Sequence, residues 1–262
     1  MVISMKLSVA IITFNEEDRL EEALKSCRDI ADEIVVVDSY STDKTVDIAA
    51  AYGAKIFKNT FSDYGTQKNV ALDKAGHEWV LNLDADERVS PRLRDEIVDL
   101  KQLPDEQINA DGFLINRKTY YMGRWIKHSG WYPDRKLRLF RKDKSRWHGR
   151  IHEGLRLDGS VAKIPGDILH FTYRDMSDHI NRLNRYTRMQ AEDIVKKKKS
   201  LLYLRALLLP GITFTRFYFW KMGILDGLPG LVIALVSSWA TAMKYLKAIE
   251  IKREYRKNLP TG

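Results

Sequence analysis

One stretch decides the fold: Trp79-Val80-Leu81-Asn82-Leu83-Asp84-Ala85-Asp86-Glu87. It begins as an almost wholly apolar run, which is typical of a strand buried on both faces of a parallel sheet. It ends in three acidic side chains, at the position where open α/β sheets hold their ligands. Because Asp84 and Asp86 are two residues apart, an ideal strand points them the same way. One of them can hold a Mg²⁺ or Mn²⁺ ion and the other a sugar or ribose hydroxyl.

The segments that precede this stretch predict a mainly parallel sheet. Residues 6–12, 33–38 and 54–57 are short apolar or β-branched runs, and a helical pattern follows each of them. Such an alternation of strands and helices indicates an α/β fold. Taken alone, Asp38 at the end of the second run fits a turn-forming residue better than a ligand-binding one. Together with Asp84 and Asp86, which are expected at the same sheet edge, it favours a nucleotide site.

Two nucleotide-binding classes are disfavoured, because the chain has no G-x-G-x-x-G after its first strand and no P-loop. The single cysteine, Cys27, excludes an internal disulfide and a thiolate metal cluster. The start of the chain shows no signal peptide pattern, so we expect a cytoplasmic protein.

Charge is divided unevenly along the chain. Residues 1–111 carry 13 Lys and Arg against 23 Asp and Glu, a net charge of −10. Residues 112–262 carry 31 against 12, a net charge of +19. The acidic half suits a cation-binding or catalytic role, and the basic half predicts an anionic partner such as phosphate, nucleic acid or a lipid head group.

Three blocks in the acidic half carry a resemblance to a known family. They are Ser8–Glu16 (SVAIITFNE), Val35–Thr45 (VVVDSYSTDKT) and Leu83–Glu87 (LDADE). In order and spacing they resemble the family 2 glycosyltransferases of the GT-A fold. The resemblance implies an α/β fold with a GT-A-type, mainly parallel sheet flanked by helices. It also implies a UDP-sugar as donor and Mg²⁺ or Mn²⁺ as cofactor.

The same resemblance implies roles for seven residues in binding the donor. Those expected to line the nucleotide pocket are Thr13, Asn15 and Glu16, and Asp38 is expected to hold the uracil or ribose. Lys68 is expected to approach the diphosphate. Asp84 is expected to contact the ribose or sugar and Asp86 the metal.

The basic half resembles a narrower group, the lipopolysaccharide core β-1,4-glucosyltransferases. The similar blocks are Trp131–Arg141, Trp147–Glu153, His170–Tyr173 and Gly223–Gly230. The resemblance implies inverting transfer of a hexose, expected to be glucose, to a lipid-linked saccharide such as the lipopolysaccharide inner core. Two rivals stay open: transfer of a sugar to polyprenyl phosphate, and a non-catalytic, membrane-associated protein that binds nucleotide sugars as a scaffold.

Inverting transfer needs a general base to take a proton from the acceptor hydroxyl. We expect Glu153 in this role, because the family places an acidic residue from this region beneath the sugar, and Asp134 is the second candidate. A salt bridge to Arg150 or Arg156 is the alternative role of Glu153. His152 and His170 are candidates to complete the metal shell, although a lone histidine is more often a structural residue.

The basic stretch from Arg135 to Arg150 includes a predicted strand around Arg138 and Arg141, whose outward arginines are expected to meet phosphates. A nucleic-acid partner is disfavoured, because the aspartates near the same cleft would repel a nucleic-acid backbone. An acceptor that carries phosphate or carboxylate groups fits better.

The chain is expected to comprise two domains. Residues 1–175 form the glycosyltransferase domain, with a nucleotide-sugar half to about residue 111 and an acceptor half over 112–175. Residues 176–262 form a helical, amphipathic region. Its apolar runs fall short of the ~20 uninterrupted residues that span a bilayer. Its helices can therefore pack on the enzyme, form a homo-oligomer, or lie at an anionic membrane surface. Of these we favour peripheral attachment to the inner face of the cytoplasmic membrane.

Overall fold

The structure is a computed structural model that describes residues 5–149 and 154–257. The chain divides into two compact units, Met1–Lys118 with Asp134–Phe171 and Thr119–Pro133 with Thr172–Gly262. The segment Thr119–Pro133 thus groups with the C-terminal helices, whereas the sequence analysis assigned it to the first domain.

The strands of the sheet in the first unit are β1 (Leu7–Thr13), β2 (Glu33–Asp38), β3 (Lys55–Lys58), β4 (Trp79–Asp84), β5 (Glu87–Val89), β6 (Gly112–Tyr121), β8 (Asp134–Arg141) and β11 (Val161–His170). Their order is β3-β2-β1-β4-β8-β6-β11-β5. Strands β1 to β4 pair in parallel, whereas β4 with β8, β8 with β6, and β11 with β5 pair antiparallel. The predicted α/β fold is confirmed, and the parallel half coincides with the acidic half of the chain.

The remaining elements of the first unit are helices α1 (Leu20–Cys27), α2 (Thr45–Ala51), α3 (Tyr64–Lys74) and α4 (Pro91–Gln102), with a two-stranded sheet of β9 (Ser145–His148) and β10 (Gly154–Leu157). Helix α4 begins where a Ser-Pro pair predicts a start. Ser90 stands at the N-cap and accepts a hydrogen bond from the Leu93 N–H, and Pro91 follows.

Both faces of the central strands are covered, which explains their continuous apolar sequence. Alternate residues of β1 point to opposite faces. Leu7, Val9 and Ile11 belong to the cluster that includes α1 and α4, whereas Ala10 belongs to the cluster that includes α3. A strand buried on both sides leaves only its end for polar side chains, so ligand-binding groups collect at the strand ends.

The second unit contains strand β7 (Arg124–Trp125) and helices α5 (Met176–Lys196), α6 (Leu202–Thr215) and α7 (Leu228–Lys257). A π-helical turn at Arg216–Trp220 and a 3₁₀ turn at Gly223–Asp226 join α6 to α7. A small core that includes Ala191, Leu202, Tyr245 and Ala248 holds the three helices together.

Asp226 anchors the turn before α7. Its side chain is 1% exposed and accepts hydrogen bonds from the backbone N–H groups of Lys127 and His128 and from the Ser129 hydroxyl. The motif Gly223–Gly230, which the sequence analysis singled out, therefore ties the segment 124–129 to the start of α7.

An aromatic cluster supports the same unit. The Tyr121 hydroxyl and His179 Nδ1 are 2.8 Å apart, and the rings of Tyr173 and His179 stack at 3.9 Å. Burial lowers the pKa of His179 to about 4 and raises that of Tyr121 to about 12. Both groups are therefore neutral at physiological pH, as a buried cluster requires.

Within the described residues, one helical segment, Leu228–Glu254, is long and apolar enough to cross a bilayer by length and composition. The expectation concerned uninterrupted apolar runs, and Lys244 and Lys247 interrupt this segment. The helix continues past both lysines to Lys257. A core helix of a soluble protein meets the same criterion, and the later part of α7 is packed against α5 and α6.

Candidate functional site

The carboxyl ends of β1, β2 and β4 bring the predicted acidic residues to one edge of the sheet. In the β1–β2 pair Thr13 stands opposite Asp38, and in the β1–β4 pair Ile12 stands opposite Asp84. Strand register therefore gathers three of the predicted residues, Thr13, Asp38 and Asp84, as parallel strands require.

The loops after β1 and β2 are bonded to each other through Asn15 and Glu16. The Asn15 N–H donates to the Ser41 hydroxyl at 2.9 Å, and Asn15 Oδ1 accepts from the Thr42 N–H at 2.9 Å. The Glu16 N–H donates to the Thr45 hydroxyl at 2.8 Å. Asn15 has a φ of 52°, a left-handed conformation that asparagine tolerates better than most residues. Asn15 and Glu16 thus shape the loop pair that is predicted to form the nucleotide pocket.

Asp38 is fully buried. Its carboxylate accepts hydrogen bonds from the hydroxyls of Thr13 and Ser41 and from the Ser41 N–H. These contacts hold the second loop against the end of β1. The predicted contact between Asp38 and a uracil or ribose stays a prediction.

Lys68 projects from α3 to the end of β4. Its Nζ lies 3.0 Å from Asp84 Oδ1 and 4.8 Å from the centre of the Trp147 ring, and its side chain is 3% exposed. A buried ammonium needs such partners. Lys68 and Asp84, predicted to approach the diphosphate and the ribose or sugar, therefore lie side by side in the first unit.

Arg138, on β8, lies at the centre of a buried network that the sequence analysis missed. Its guanidinium donates to Asn82 Oδ1 at 2.7 Å, to Asp84 Oδ2 at 3.0 Å and to Glu87 Oε1 at 2.6 Å. The expectation that Arg138 faces outward is wrong, because β8 is an interior strand of the sheet and the arginine is 4% exposed. A single buried guanidinium thereby orients two carboxylates at the site.

The two carboxylates of this network differ in acidity. Burial acts to raise the pKa of Asp84, but Lys68 and Arg138 outweigh it and hold that pKa well below its ordinary value. Burial raises the pKa of Glu87, and the attraction of Arg138 offsets only part of the increase. Asp84 is therefore the firmly ionised member of the pair, which suits a group that meets hydroxyls or cations.

Asp86 and His170 form the candidate metal pair. His170 Nε2 lies 3.4 Å from Asp86 Oδ2, and Arg19 Nη1 lies 3.6 Å from the same oxygen. Strand β11 brings His170 there by pairing with β5, where His170 stands opposite Glu87. A carboxylate beside an imidazole fits Mn²⁺ or Mg²⁺ when substrate phosphate oxygens supply further ligands. Groups of three metal-ligating side chains do not occur among the described residues, so a metal here would rely on such oxygens.

Asp134 is the general-base candidate whose surroundings the structure describes. Burial acts to raise the pKa of Asp134, but Arg117 and Lys136, at 2.7 and 3.2 Å, outweigh it and lower that pKa. A carboxylate held ionised in this way is a weak base. Glu153 and the candidate ligand His152 lie outside the described residues.

Much of the basic stretch is satisfied within the first unit. Arg141 pairs with Glu78 and Asp105, Lys144 pairs with Asp111, and Arg146 pairs with Asp73. Arg141 is largely buried, so the expectation that it faces outward is wrong, whereas Lys144 and Arg146 stay exposed beside their carboxylate partners. Acidic residues far away in the sequence neutralise them.

Comparisons with known proteins identify the family of the chain. The family model described as "Glycosyl transferase family 2" matches residues 8–155. The chain is 30% identical to "Lipopolysaccharide core biosynthesis glycosyltransferase LpsC" of Rhizobium meliloti, over 91% of this chain and 92% of the relative. It is also 30% identical to the uncharacterized glycosyltransferase RT0209 of Rickettsia typhi, over 96% of this chain and 89% of the relative.

Solved structures share the fold. TarS of S. aureus, in complex with UDP-GlcNAc, aligns with a TM-score of 0.50 and 18% identity, over 97% of this chain and 92% of that one. The mannosyltransferase PcManGT of Pyrobaculum calidifontis, in complex with GDP-Man and Mn²⁺, aligns with a TM-score of 0.51 and 17% identity, over 98% and 89%. At such identities the likeness shows the GT-A fold alone.

Proposed function

Because the chain belongs to glycosyl transferase family 2, we propose that it moves a hexose, expected to be glucose, from a UDP-sugar to a lipid-linked saccharide such as the lipopolysaccharide inner core. The transfer proceeds with inversion at the anomeric carbon. One observation carries the proposal: the strand ends of β1, β2 and β4 gather Thr13, Asp38 and Asp84, and Lys68 lies 3.0 Å from Asp84.

The donor half of the proposal assigns one task to each group. The loops around Asn15 and Glu16 form the wall of the nucleotide pocket. Lys68 stabilises the negative charge that builds on the departing diphosphate, because a buried cation acts strongly in a site of low dielectric. Asp84, held by Lys68 and Arg138, accepts hydrogen bonds from the ribose or the sugar.

The metal half of the proposal rests on Asp86 and His170. A bound Mn²⁺ or Mg²⁺ would act as a Lewis acid on the diphosphate. Asp86 would supply a carboxylate oxygen and His170 the lone pair of its Nε2. The 3.4 Å between these two atoms supports their binding to the same metal ion. Arg19, beside Asp86, would add a positive charge near the leaving group.

The transfer itself needs one base and no covalent enzyme intermediate. The acceptor hydroxyl oxygen attacks the anomeric carbon, the bond from that carbon to the diphosphate oxygen breaks, and UDP leaves. The hydroxyl proton passes to a carboxylate, for which we propose Glu153. The lowered pKa of Asp134 makes it the weaker candidate.

The acceptor and the location are inferred from the relatives and from the second unit. The name of the Rhizobium meliloti relative places that protein in lipopolysaccharide core biosynthesis, which supports a lipopolysaccharide saccharide as acceptor. The exposed apolar residues Leu207, Trp220 and Leu228 support peripheral attachment to the inner face of the cytoplasmic membrane. Self-association through the C-terminal helices is the competing use of this surface.

The decisive experiment follows UDP release from a panel of UDP-sugars, with Mn²⁺ or Mg²⁺, in the presence and absence of core saccharide. We expect one UDP-sugar to support saccharide-dependent release, and Asp86→Ala to lower it by orders of magnitude. Asp95→Ala is the matched control, because Asp95 is an exposed residue of α4. A protein that binds UDP but never releases it from a UDP-sugar would be a scaffold. Release that depends on polyprenyl phosphate instead would identify the rival acceptor.

A further inference from the structure

Helix α6 exposes an apolar face, which is unusual for a helix in contact with water. Leu204, Leu207, Leu208 and Ile212 recur at intervals of three and four residues, so they share one side of the helix. Their exposed fractions are 49%, 76%, 52% and 57%. We call these four residues the leucine stripe. Surface helices normally turn charged side chains outward, and a contiguous exposed apolar strip marks a contact with another phase or molecule.

The opposite side of α6 is already used. Leu202 is buried in the core with α5 and α7, and Ala206 and Leu209 pack against the same core. The Ser238 hydroxyl donates to the Pro210 carbonyl, and the hydroxyls of Thr213 and Thr241 are 3.2 Å apart. The leucine stripe is therefore not an interior face turned outward by a displaced helix. It is the outer surface of a helix whose inner surface is packed.

Cations flank the stripe at both ends. Residues 194–225 contain seven Lys and Arg and no Asp or Glu. Four of the seven, Lys196 to Lys199, precede α6, while Arg216 and Lys221 follow it. An apolar strip between two basic ends is the pattern of a helix that lies in the plane of an anionic bilayer surface.

Two clefts lie at the N-terminal end of the stripe, with volumes of about 190 and 230 Å³. Lys197, Lys199 and Lys244 line the first, together with the carboxylate of Asp193. Lys199 also lines the second cleft, which makes the two adjacent.

The second cleft joins cations to apolar side chains. Its lining includes the cations Lys199, Lys252 and Arg253 and also the side chains of Leu201 and Tyr203. Arg253 Nη2 donates to the Tyr203 hydroxyl at 2.9 Å, which fixes the guanidinium beside the cleft. Leu201 is 66% exposed and Tyr203 64% exposed. Cations beside exposed apolar groups match the two parts of a phospholipid, its phosphate and its acyl chains.

We propose that α6 lies in the surface of an anionic bilayer, with the phosphate of an anionic phospholipid in the cleft of Lys199, Lys252 and Arg253 and the leucine stripe among the acyl chains. The inference deepens the membrane attachment proposed above and does not depend on the transferase activity. Lysine and arginine stems reach along apolar surface while their charges stay at the head-group level, which suits cations at both ends of a buried stripe.

A lipid surface fits this face better than a second copy of the chain or a nucleic acid. Two copies that joined their stripes would bring the basic segment 194–225 of each together, with no acidic residue in either segment to offset the repulsion. A nucleic acid would leave the leucines in water, because base stacking uses aromatic side chains. Only a surface with anionic groups above an apolar layer satisfies both the cations and the leucines.

Vesicle binding by the full chain tests the proposal. The probe is vesicles of phosphatidylcholine with phosphatidylglycerol, compared with vesicles of phosphatidylcholine alone, and the readout is co-sedimentation. Each surface cation contributes about 1 kcal/mol to such binding, so Lys199→Gln with Arg253→Gln should weaken it about thirtyfold. The charge-matched control is Lys163→Gln with Arg28→Gln, since both residues are exposed in the first unit. Equal binding by the two double variants would overturn the cleft assignment.

The stripe is tested separately. Leu204→Ser with Leu207→Ser should abolish binding while the charge stays unchanged, whereas Val161→Ser, at an exposed valine of the first unit, should not affect it. Trp220, 83% exposed at the far end of the stripe, should be quenched by brominated acyl chains, measured as the difference from Trp220→Phe. Equal quenching of wild type and Trp220→Phe would overturn the proposal. A dimer in sedimentation that dissociates in the serine variant would overturn it as well.

UDP release with a soluble saccharide separates this inference from the proposed catalysis. We expect both double variants to retain it. Binding to anionic vesicles without any UDP release would refute the proposed transferase activity and support the lipid site. UDP release without vesicle binding would refute the lipid site and support the transferase activity. Binding of single-stranded RNA that competes equally with the vesicles would assign the cations to nucleic acid and overturn the lipid site.

Discussion

Arg138 and Glu87 form a buried ion pair in the first unit: Nη2 of Arg138 lies 2.6 Å from Oε1 of Glu87, and their side chains are 5% and 0% exposed. The same guanidinium also bonds Asn82 and Asp84, so one side chain connects β4, β5 and β8. The pair matters for function because Asp84 is a predicted donor-binding residue and Glu87 stands opposite His170 in the β5–β11 pair.

Arg138→Met should destabilise the protein strongly. It leaves the Glu87 carboxylate buried without its closest cation, which typically costs about 3–5 kcal/mol. The free energy of unfolding in urea measures the loss, with Arg92→Met, an exposed residue of α4, as the control. We expect the difference from wild type to shrink at acidic pH, because a protonated Glu87 needs no counter-charge. A loss below about 1 kcal/mol at pH 7 would contradict the buried pair.

The stability of the first unit should decline in acid through Glu33. Burial acts to raise the pKa of Glu33, but hydrogen bonds from Lys55, Ser8 and the Gly76 N–H outweigh it and lower that pKa from 4.5 to about 2. Between these pH values the unfolded chain binds more protons than the folded one. The contribution of Glu33 is therefore complete above about pH 4.5 and disappears as the pH falls through 2.

Glu33→Gln provides the measurement. The variant should be less stable than wild type at pH 7, and the two urea midpoints should converge as the pH approaches 2. Glu106→Gln, at an exposed glutamate of the first unit, should parallel wild type throughout. A constant difference between Glu33→Gln and wild type from pH 7 to pH 2 would show that the carboxylate charge is not involved.

Lys68→Met should lower kcat about a hundredfold and raise the Kd for UDP, because it removes the cation proposed to stabilise the diphosphate. Lys74→Met, on the same helix, is the control, since Lys74 contacts the Phe57 ring away from Asp84. Steady-state UDP release and calorimetry of UDP binding measure the two effects. If both variants behave alike, Lys68 has no role in binding the donor.

The metal prediction can be checked without turnover. In the presence of UDP, Asp86→Asn and His170→Gln should each weaken Mn²⁺ binding at least tenfold, measured by calorimetry or by the loss of free Mn²⁺ signal in EPR spectra. Asp95→Asn and His77→Gln remove the same chemical groups elsewhere in the unit and should leave the affinity unchanged. Removal of the metal with EDTA should stop UDP release by wild type. Release that survives EDTA would contradict a metal-assisted mechanism.

The two base candidates should separate cleanly. Glu153→Gln is expected to lower kcat by orders of magnitude with little change in the Kd for UDP, because only the proton transfer is lost. Asp134→Asn should have a smaller effect, since Arg117 holds the Asp134 carboxylate ionised at 2.7 Å. The ratio of the two kcat values decides the assignment. A larger loss in Asp134→Asn would reverse it.

Local pattern was enough to predict the parallel half of the fold. The apolar runs of β1, β2 and β4 are continuous because helices cover both faces of these strands, and polar residues are confined to the strand ends. That confinement is why Asp38, Asp84 and Asp86 could be placed at one edge from the sequence. The Ser90-Pro91 start of α4 was equally readable, because an N-cap depends only on neighbours three residues apart.

Contacts between residues far apart in the sequence could not be predicted in this way. Asn15 was a candidate for shaping the pocket, but its bond to the Thr42 N–H joins two loops that only the β1–β2 pairing brings together. The basic stretch looked free for an anionic partner, yet Arg141, Lys144 and Arg146 find acidic partners 33 or more positions away in sequence. A charge count along the chain carries no information about such partners.

The amino-acid sequence by itself determined the α/β class, the family and the edge of the sheet where acidic groups meet, because alternation and spacing act over a few residues. Tertiary structure alone decided that Arg138 is buried between Asp84 and Glu87, that Asp38 is closed off by Thr13 and Ser41, and that α6 turns leucines outward. Those outcomes depend on the strand order β4-β8-β6-β11-β5 and on which helix face is already packed. Both are set by long-range burial, which no local pattern specifies.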